Sequence, residues 1–373
     1  LILLTALLFS TKLVLGQTEA NNERLDSLAF MYFESNQFDA AEKTSKNILA
    51  LNSLDTNIYR INANTLLGII NKNRGYYISA TEHYISALND ARSLRDKGRQ
   101  SAILNNLGTL YKLQHNYQKA IDFFKESLDF EKDLNNPVQT SIRFYNIADT
   151  YLELDSLDLA LSFFNNSLLI EQKIKDKIGL IYAYLGITEV YIKMGNSFES
   201  ELMIRKIEEL SPIENAELKI LFEFTRAKHA LASENPQEAG KRIDKAIKLG
   251  RNAGMGYLQP DMLRFKIDVL TEMSSYQDLS SAYREYLEVS ENLNNQMIRN
   301  EIYDLNYQNE LNQKQLEVEK LRTERQRSIK AKEKDVQVRK FQQRLIIFIL
   351  GLLVLSVFLV FLGVRKMKNM NTP

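Results

Sequence analysis

Side chains that could carry hydrolytic, redox or metal chemistry are scattered along this chain and do not converge in its sequence. There are three histidines, His83, His115 and His229. His83 and His229 fall on predicted helices far apart in the chain, and His115 falls in a predicted turn. There is no cysteine, which removes disulfides and thiolate nucleophiles without identifying a compartment. No H-E-x-x-H, no G-x-x-x-x-G-K-[ST], no G-x-G-x-x-G after a strand and no G-x-S-x-G occurs, so zinc, phosphate, dinucleotide and serine-nucleophile patterns are lacking. Carboxylates are plentiful but dispersed, as on solvated helix faces. Gly254 and Gly256 follow no strand and precede no phosphate-binding lysine, which makes them a helix connection. The sequence therefore predicts a protein that is not an enzyme, needs no cofactor or metal, and acts through its surface.

Composition narrows the class of that surface. Over 373 residues, 45% are hydrophobic and 25% charged, with a net charge of +1, the balance of a folded protein that is not a general nucleic-acid binder. Five prolines and fourteen glycines are few for this length and favour long helices.

The elements that position the surface are visible as a repeat. The stretch LNNLGTLYKLQHNYQKAIDFFKESL, from Leu104, returns forty residues on as FYNIADTYLELDSLDLALSFFNNSL, ending at Leu168. Leu107, Gly108, Tyr111, Ala120, Phe124 and Ser127 become Ile147, Ala148, Tyr151, Ala160, Phe164 and Ser167. Six positions in register exceed what a chance amphipathic helix repeats. This pattern resembles the tetratricopeptide repeat, which implies helix pairs whose small residues sit where two helices press together. The position that often holds Trp in that family is filled by Leu104, Phe144 and Tyr184.

The frame extends to Leu67, Gly68, Ala80, Tyr84 and Ala87, with Asn71 in place of the aromatic, and earlier to Leu28, Ala29, Tyr32, Ala41 and Ile48. Forward it runs through Ile187, Thr188, Tyr191, Ser200 and Ile204. It continues through Ala227, Ala230, Ala239, Ile243 and Ala246, and in degraded form through Ile267, Leu270, Leu279, Tyr283 and Tyr286. The joints RDKGR (95–99), LNNPV (134–138) and KDKIG (175–179) stop one helix and start the next. The expected architecture is all-α: a right-handed solenoid of about seven repeats over 22–289, of the long type similar to that of kinesin light chains.

The ends carry different signals. Residues 1–16 are apolar with one Lys, and Val14 and Gly16 suit the −3 and −1 positions of a signal-peptidase site, so a cleaved export signal is expected. From 290 to 344 the sequence predicts a helical stalk. Met297, Asp304, Leu311 and Val318 form a weak heptad seam there, leaving a homodimer through the stalk open. Between Glu319 and Arg344 ten Lys or Arg stand against four Asp or Glu, which suits a solvated helix, attraction to anionic lipid heads, or a helix that couples the solenoid to the membrane segment. Residues 345–364, LIIFILGLLVLSVFLVFLGV, rise roughly 30 Å as a helix, the depth of a bilayer core, and are expected to span a membrane. The basic tail 365–373 suits a cytoplasmic end. With the export signal, this places the repeats outside the inner membrane.

The resemblance implies that the first helix of each pair lines a concave groove. Its lining is then Asn62, Thr65, Ile69 and Lys72; Ala102, Asn105, Thr109 and Lys112; Ile142, Tyr145, Asp149 and Leu152; and Tyr182, Leu185, Glu189 and Ile192. Asn amides can bond both edges of an extended peptide, Lys72 and Lys112 could meet a carboxylate, and Tyr145 and Tyr182 offer broad contact. The expected binding residues are Asn62, Thr65, Lys72, Asn105, Thr109, Lys112, Tyr145, Asp149, Tyr182 and Glu189, with a protein or peptide as partner. The two-carboxylate clamp of chaperone-binding relatives needs Asn where Thr109 and Asp149 stand, so that clamp is not expected.

The whole layout resembles bacterial membrane-anchored tetratricopeptide sensors. It departs from them after the span, where nine residues stand in place of an output domain, either lacking or outside this chain. Sensor input is the first expectation. A membrane-tethered scaffold for envelope proteins, or a subunit of an enzyme whose chemistry lies in another chain, are the alternatives.

Overall fold

The computed structural model describes residues 20–51, 58–255, 258–275, 278–291, 316–330, 332–334, 336–343 and 350. They fall in two units, divided after Asp304. In the first unit the described residues form seven antiparallel helix pairs. These are α1 (residues 20–34) with α2 (Phe38–Leu51), α3 (Ile58–Asn73) with α4 (Tyr77–Ser93), and α5 (Lys97–Leu113) with α6 (Tyr117–Asp133). There follow α7 (Pro137–Glu153) with α8 (Leu157–Ile174), α9 (Lys177–Lys193) with α10 (Ser197–Glu209), α11 (Ala216–Ala232) with α12 (Pro236–Asn252), and α13 (Gln259–Glu272) with α14 (residues 278–291).

One two-residue device makes most of the corners. A residue in the left-handed region ends a helix, and the next residue serves both neighbours. Asp96 donates its N–H to the Ala91 carbonyl at 3.0 Å, closing α4, and its carboxylate accepts from Arg99 N–H at 3.0 Å, capping α5. Asn116, Asn136, Asn196 and Asn235 repeat both bonds at the other corners. These satisfy the orphan carbonyls of one helix end and the orphan amides of the next. A cap of this kind is worth about 1 kcal/mol, which offsets the left-handed φ adopted by Arg95, His115, Asn135 and Glu234.

The small and large positions of the repeat meet in the core. Leu67, Leu107, Ile147 and Ile187 are buried, as are Tyr84, Phe124 and Phe164 from the second helices. A Cβ placed on Gly68 would lie 2.5 Å from the Tyr84 ring, and one on Gly108 2.5 Å from Phe124. The helices can close this far only because those positions lack a side chain. The fourth pair has Ala148 instead, and there the aromatic rests on the next pair: a Cβ on Gly186 would lie 2.4 Å from Phe164.

Odd-numbered helices from α3 to α11 also approach their odd-numbered neighbours, with no comparable approach between even-numbered ones among the described residues. The odd helices therefore line the inner face of the superhelix.

The C-terminal unit is helical and exposed wherever it is described. Among the described residues no helix is long and apolar enough to cross a membrane. The expected span at 345–364 lies outside the described residues apart from Leu350, as do the export signal at 1–16, most of the heptad seam and the tail.

Candidate partner-binding groove

All ten residues expected to bind a partner sit on α3, α5, α7 and α9, half-buried. Several are already engaged with the neighbouring repeat. Asn62 donates to Asp26 at 2.8 Å and accepts from Arg99 at 3.2 Å. Asn105 accepts from Asn146 at 2.7 Å. Lys112 is ion-paired with Asp149. Glu189 accepts from Lys228 at 2.8 Å and from Thr225 at 3.2 Å. The inner face is thus laced by polar bonds between residues about one repeat apart. Thr65 and Thr109 turn their hydroxyls back to the carbonyls of Ile61 and Asn105, so their donors are used within the helix.

Lys72 and the two tyrosines differ from that lattice. Lys72 occupies the frame position of Lys112, but the place that Asp149 takes for Lys112 is held for Lys72 by Thr109. Lys72 has no carboxylate partner among the described residues, and burial lowers its pKa. The rings of Tyr145 and Tyr182 meet edge to face at 5.8 Å. Burial pushes the Tyr145 hydroxyl well above its ordinary pKa, with Asp149, Tyr182, Glu189 and Glu217 adding to the rise. Tyr182 is raised by burial and then by Glu217. Both phenols therefore stay protonated donors at physiological pH. The groove presents an ammonium at α3 and an aromatic pair at α7 and α9, separated by the Lys112–Asp149 bridge.

Beneath the tyrosines lies polar chemistry that the sequence reading passed over. Between α5, α6 and α7, Glu131 accepts from Ser101 at 2.5 Å and meets Arg143 at 3.5 Å, both charges almost wholly buried. Arg143 also donates to Ser127 at 2.6 Å and to Gln139 at 3.0 Å. Forty residues on, Ser141, Ser167 and Glu171 repeat Ser101, Ser127 and Glu131, with Ser141 and Ser167 2.8 Å apart. The repeat period that revealed the helices carried this signal too. Among the described residues no cluster of side chains could hold a metal.

A tetratricopeptide-repeat family model matches residues 59–132. Over those residues the helix pairs match tetratricopeptide repeats, and the described solenoid as a whole has a tetratricopeptide-like fold. Among solved structures it is similar to the apo form of RapI, at 15% identity with a TM-score of 0.64, covering 74% of this chain and 99% of that one. It is also similar to a Rap protein complexed with Competence and Sporulation Factor, at 14% identity and a TM-score of 0.56, covering 72% and 74% of the two chains. Aspartyl phosphate phosphatase F from Bacillus subtilis aligns at 16% identity and a TM-score of 0.55, covering 74% and 68%. At these identities the likeness is one of fold. No curated protein matches by sequence.

Proposed function

We propose that the solenoid is a binding module whose inner face captures an extended peptide or protein segment, as the input part of a membrane-tethered sensor. The observation that carries this reading is the groove lining itself. Along α3, α5, α7 and α9 it combines a desolvated lysine that has no carboxylate partner among the described residues with a half-buried tyrosine pair. An ammonium held partly out of water gains most from a carboxylate supplied by a partner. Aromatic faces with a polar tip give large contact area at little conformational cost. The fold is compatible with such a ligand, since the similar Rap protein was solved with Competence and Sporulation Factor.

The tether belongs to the same proposal and rests on the sequence alone. An export signal at 1–16 and a span at 345–364 would hold the solenoid outside the inner membrane. Protease digestion of spheroplasts tests it: the solenoid is expected to be cut and a membrane-embedded C-terminal fragment to remain. A solenoid protected until the membrane is lysed contradicts that placement.

Groove binding is tested by panning a display library of random peptides against the full chain. Enriched peptides are expected, with capture falling at least tenfold in Tyr182→Ala and in Lys72→Ala. Failure to enrich any peptide over the library background, or enrichment indifferent to both substitutions, contradicts the reading.

A further inference from the structure

The repeat that follows Glu131 and Arg143 exchanges a polar filling for an apolar opening. In the earlier repeat Gln139 supports Arg143, and Asn105 bonds Asn146. One repeat on, Gln139 becomes Gly179, Arg143 becomes Ala183 and Asn105 becomes Tyr145. Gly179 brings no side chain, and a cavity of about 190 Å³ stands there between α7, α8 and α9. Three of the residues around it, Ile142, Tyr145 and Tyr182, belong to the groove lining, so the cavity is continuous with the inner face.

The polar groups at its base are closed to a ligand. Ser141 and Ser167 are buried, and their hydroxyls bond each other at 2.8 Å. Glu171 is buried too, its carboxyl turned onto the Gly179 backbone with no room for a Cβ between them. What stays open is Ile142, 38% exposed, and the half-buried rings of Tyr145 and Tyr182. An apolar space of this size has a known capacity, since a cavity of roughly 150 Å³ with apolar walls stays dry and admits benzene. The rings also set a geometry. Phe164, Tyr145 and Tyr182 make successive edge-to-face contacts, with centroids 5.3 and 5.8 Å apart and planes at 65° and 73°. A further ring in the cavity extends that series at the spacing of roughly 4.5–7 Å that aromatic pairs favour.

We propose that this cavity is an anchor pocket of the groove, and that it takes a phenylalanine side chain of the captured segment. This deepens the groove reading and rests on it for the source of the ring. A phenyl group removes its apolar surface from water there without leaving a polar atom behind. A phenol is a poorer occupant, because its hydroxyl would reach a base whose polar groups are already used or turned away. The pocket thus fixes one position of the ligand as an aromatic side chain without a hydroxyl.

The test is a ligand-observed saturation-transfer NMR titration of the full chain with acetyl-Gly-Phe-Gly-amide and with its tyrosine and alanine counterparts. The phenylalanine peptide is expected to bind roughly tenfold more tightly than the alanine peptide, from the apolar area it buries. It should bind roughly fivefold more tightly than the tyrosine peptide, whose hydroxyl is left unbonded. Ile142→Glu puts a charge at the half-exposed rim; it is expected to keep the parent melting temperature and to lose the preference for phenylalanine. If no peptide binds, if phenylalanine is not preferred over both counterparts, or if the preference survives in Ile142→Glu, the pocket is overturned. Library peptides that still require Lys72 and Tyr182 would then leave the groove reading standing without it. A phenylalanine preference found while the library yields no peptide would remove the groove reading alone.

Discussion

Gly108 offers a sharp test of how the helix pairs close. A Cβ at this position would sit 2.5 Å from Cε1 and 2.6 Å from Cδ1 of Phe124, and that residue is 1% exposed, in a core cluster with Ala120, Leu128 and Ile147. Gly108→Ala should gain roughly 0.5–1 kcal/mol from helix propensity. Against this stands the displacement of a packed ring, about 1–3 kcal/mol for overpacking. The balance is a loss of about 1 kcal/mol. Gly98 lies on the same helix, and a Cβ there would meet only a carboxylate oxygen of Asp96 at 3.6 Å, so Gly98→Ala should be neutral or slightly stabilising. Urea unfolding followed by far-ultraviolet circular dichroism compares the two. Phe124→Leu in the Gly108→Ala background should recover part of the loss, with a coupling energy within the roughly 0.5–3 kcal/mol seen for residues in contact. If Gly108→Ala stabilises as Gly98→Ala does, or if the two changes at Gly108 and Phe124 are additive, the close approach at this position is wrong.

Other perturbations reach different parts of the account. Arg143→Met leaves Glu131 buried without its cation and should cost on the order of 3–5 kcal/mol, read as a lowered urea midpoint; an unchanged midpoint would remove the ion pair from the core. Glu171 has its pKa raised by burial, partly countered by a hydrogen bond from Ser141. A raised carboxyl favours folding below its unfolded pKa and loses that contribution as pH rises through the folded value. Glu171→Gln should therefore stabilise the protein at pH 7 and not at pH 4, as thermal melts at the two values will read. His83 is held down to about 4, chiefly by burial and then by Lys46, while Glu42 opposes the fall. The unfolded chain then binds the extra proton first, so stability should decline as pH drops from 6.5 towards 4, by at most about 3 kcal/mol. His83→Gln should flatten that slope in pH-dependent melts. Asn136→Ala removes the side chain that accepts from Gln139 N–H and should cost about 1 kcal/mol in the same unfolding assay.

Much of the fold was legible in the sequence because each of its determinants is local or strictly periodic. Gly108 against Phe124, and Asp96, Asn116 and Asn136 at the corners, follow from spacing and residue type. The direction in which a ring leans is not local. Ala148 fits the repeat pattern as well as Gly108 does, yet Phe164 rests on Gly186 of the next pair, a choice made by three-dimensional packing. The groove was legible as a set of positions and not as a set of free groups. Lys72 and Lys112 look alike in sequence, and only the approach of α5 to α7 reveals that Lys112 is committed to Asp149. Glu171 was passed over because a lone carboxylate on a charged helix resembles any solvated one. What distinguishes it is the comparison of Arg143 and Gln139 with Ala183 and Gly179, which has meaning once Glu131 and Arg143 are seen to touch.

The central claim is that the inner face of the solenoid captures an extended segment. Hydrogen–deuterium exchange on the full chain, with and without a peptide selected from the library, tests it most directly. The account predicts added protection in α3, α5, α7 and α9, strongest around Tyr145 and Tyr182, with α4, α6 and α8 unchanged. Protection confined to the even-numbered helices or to the C-terminal unit would contradict it.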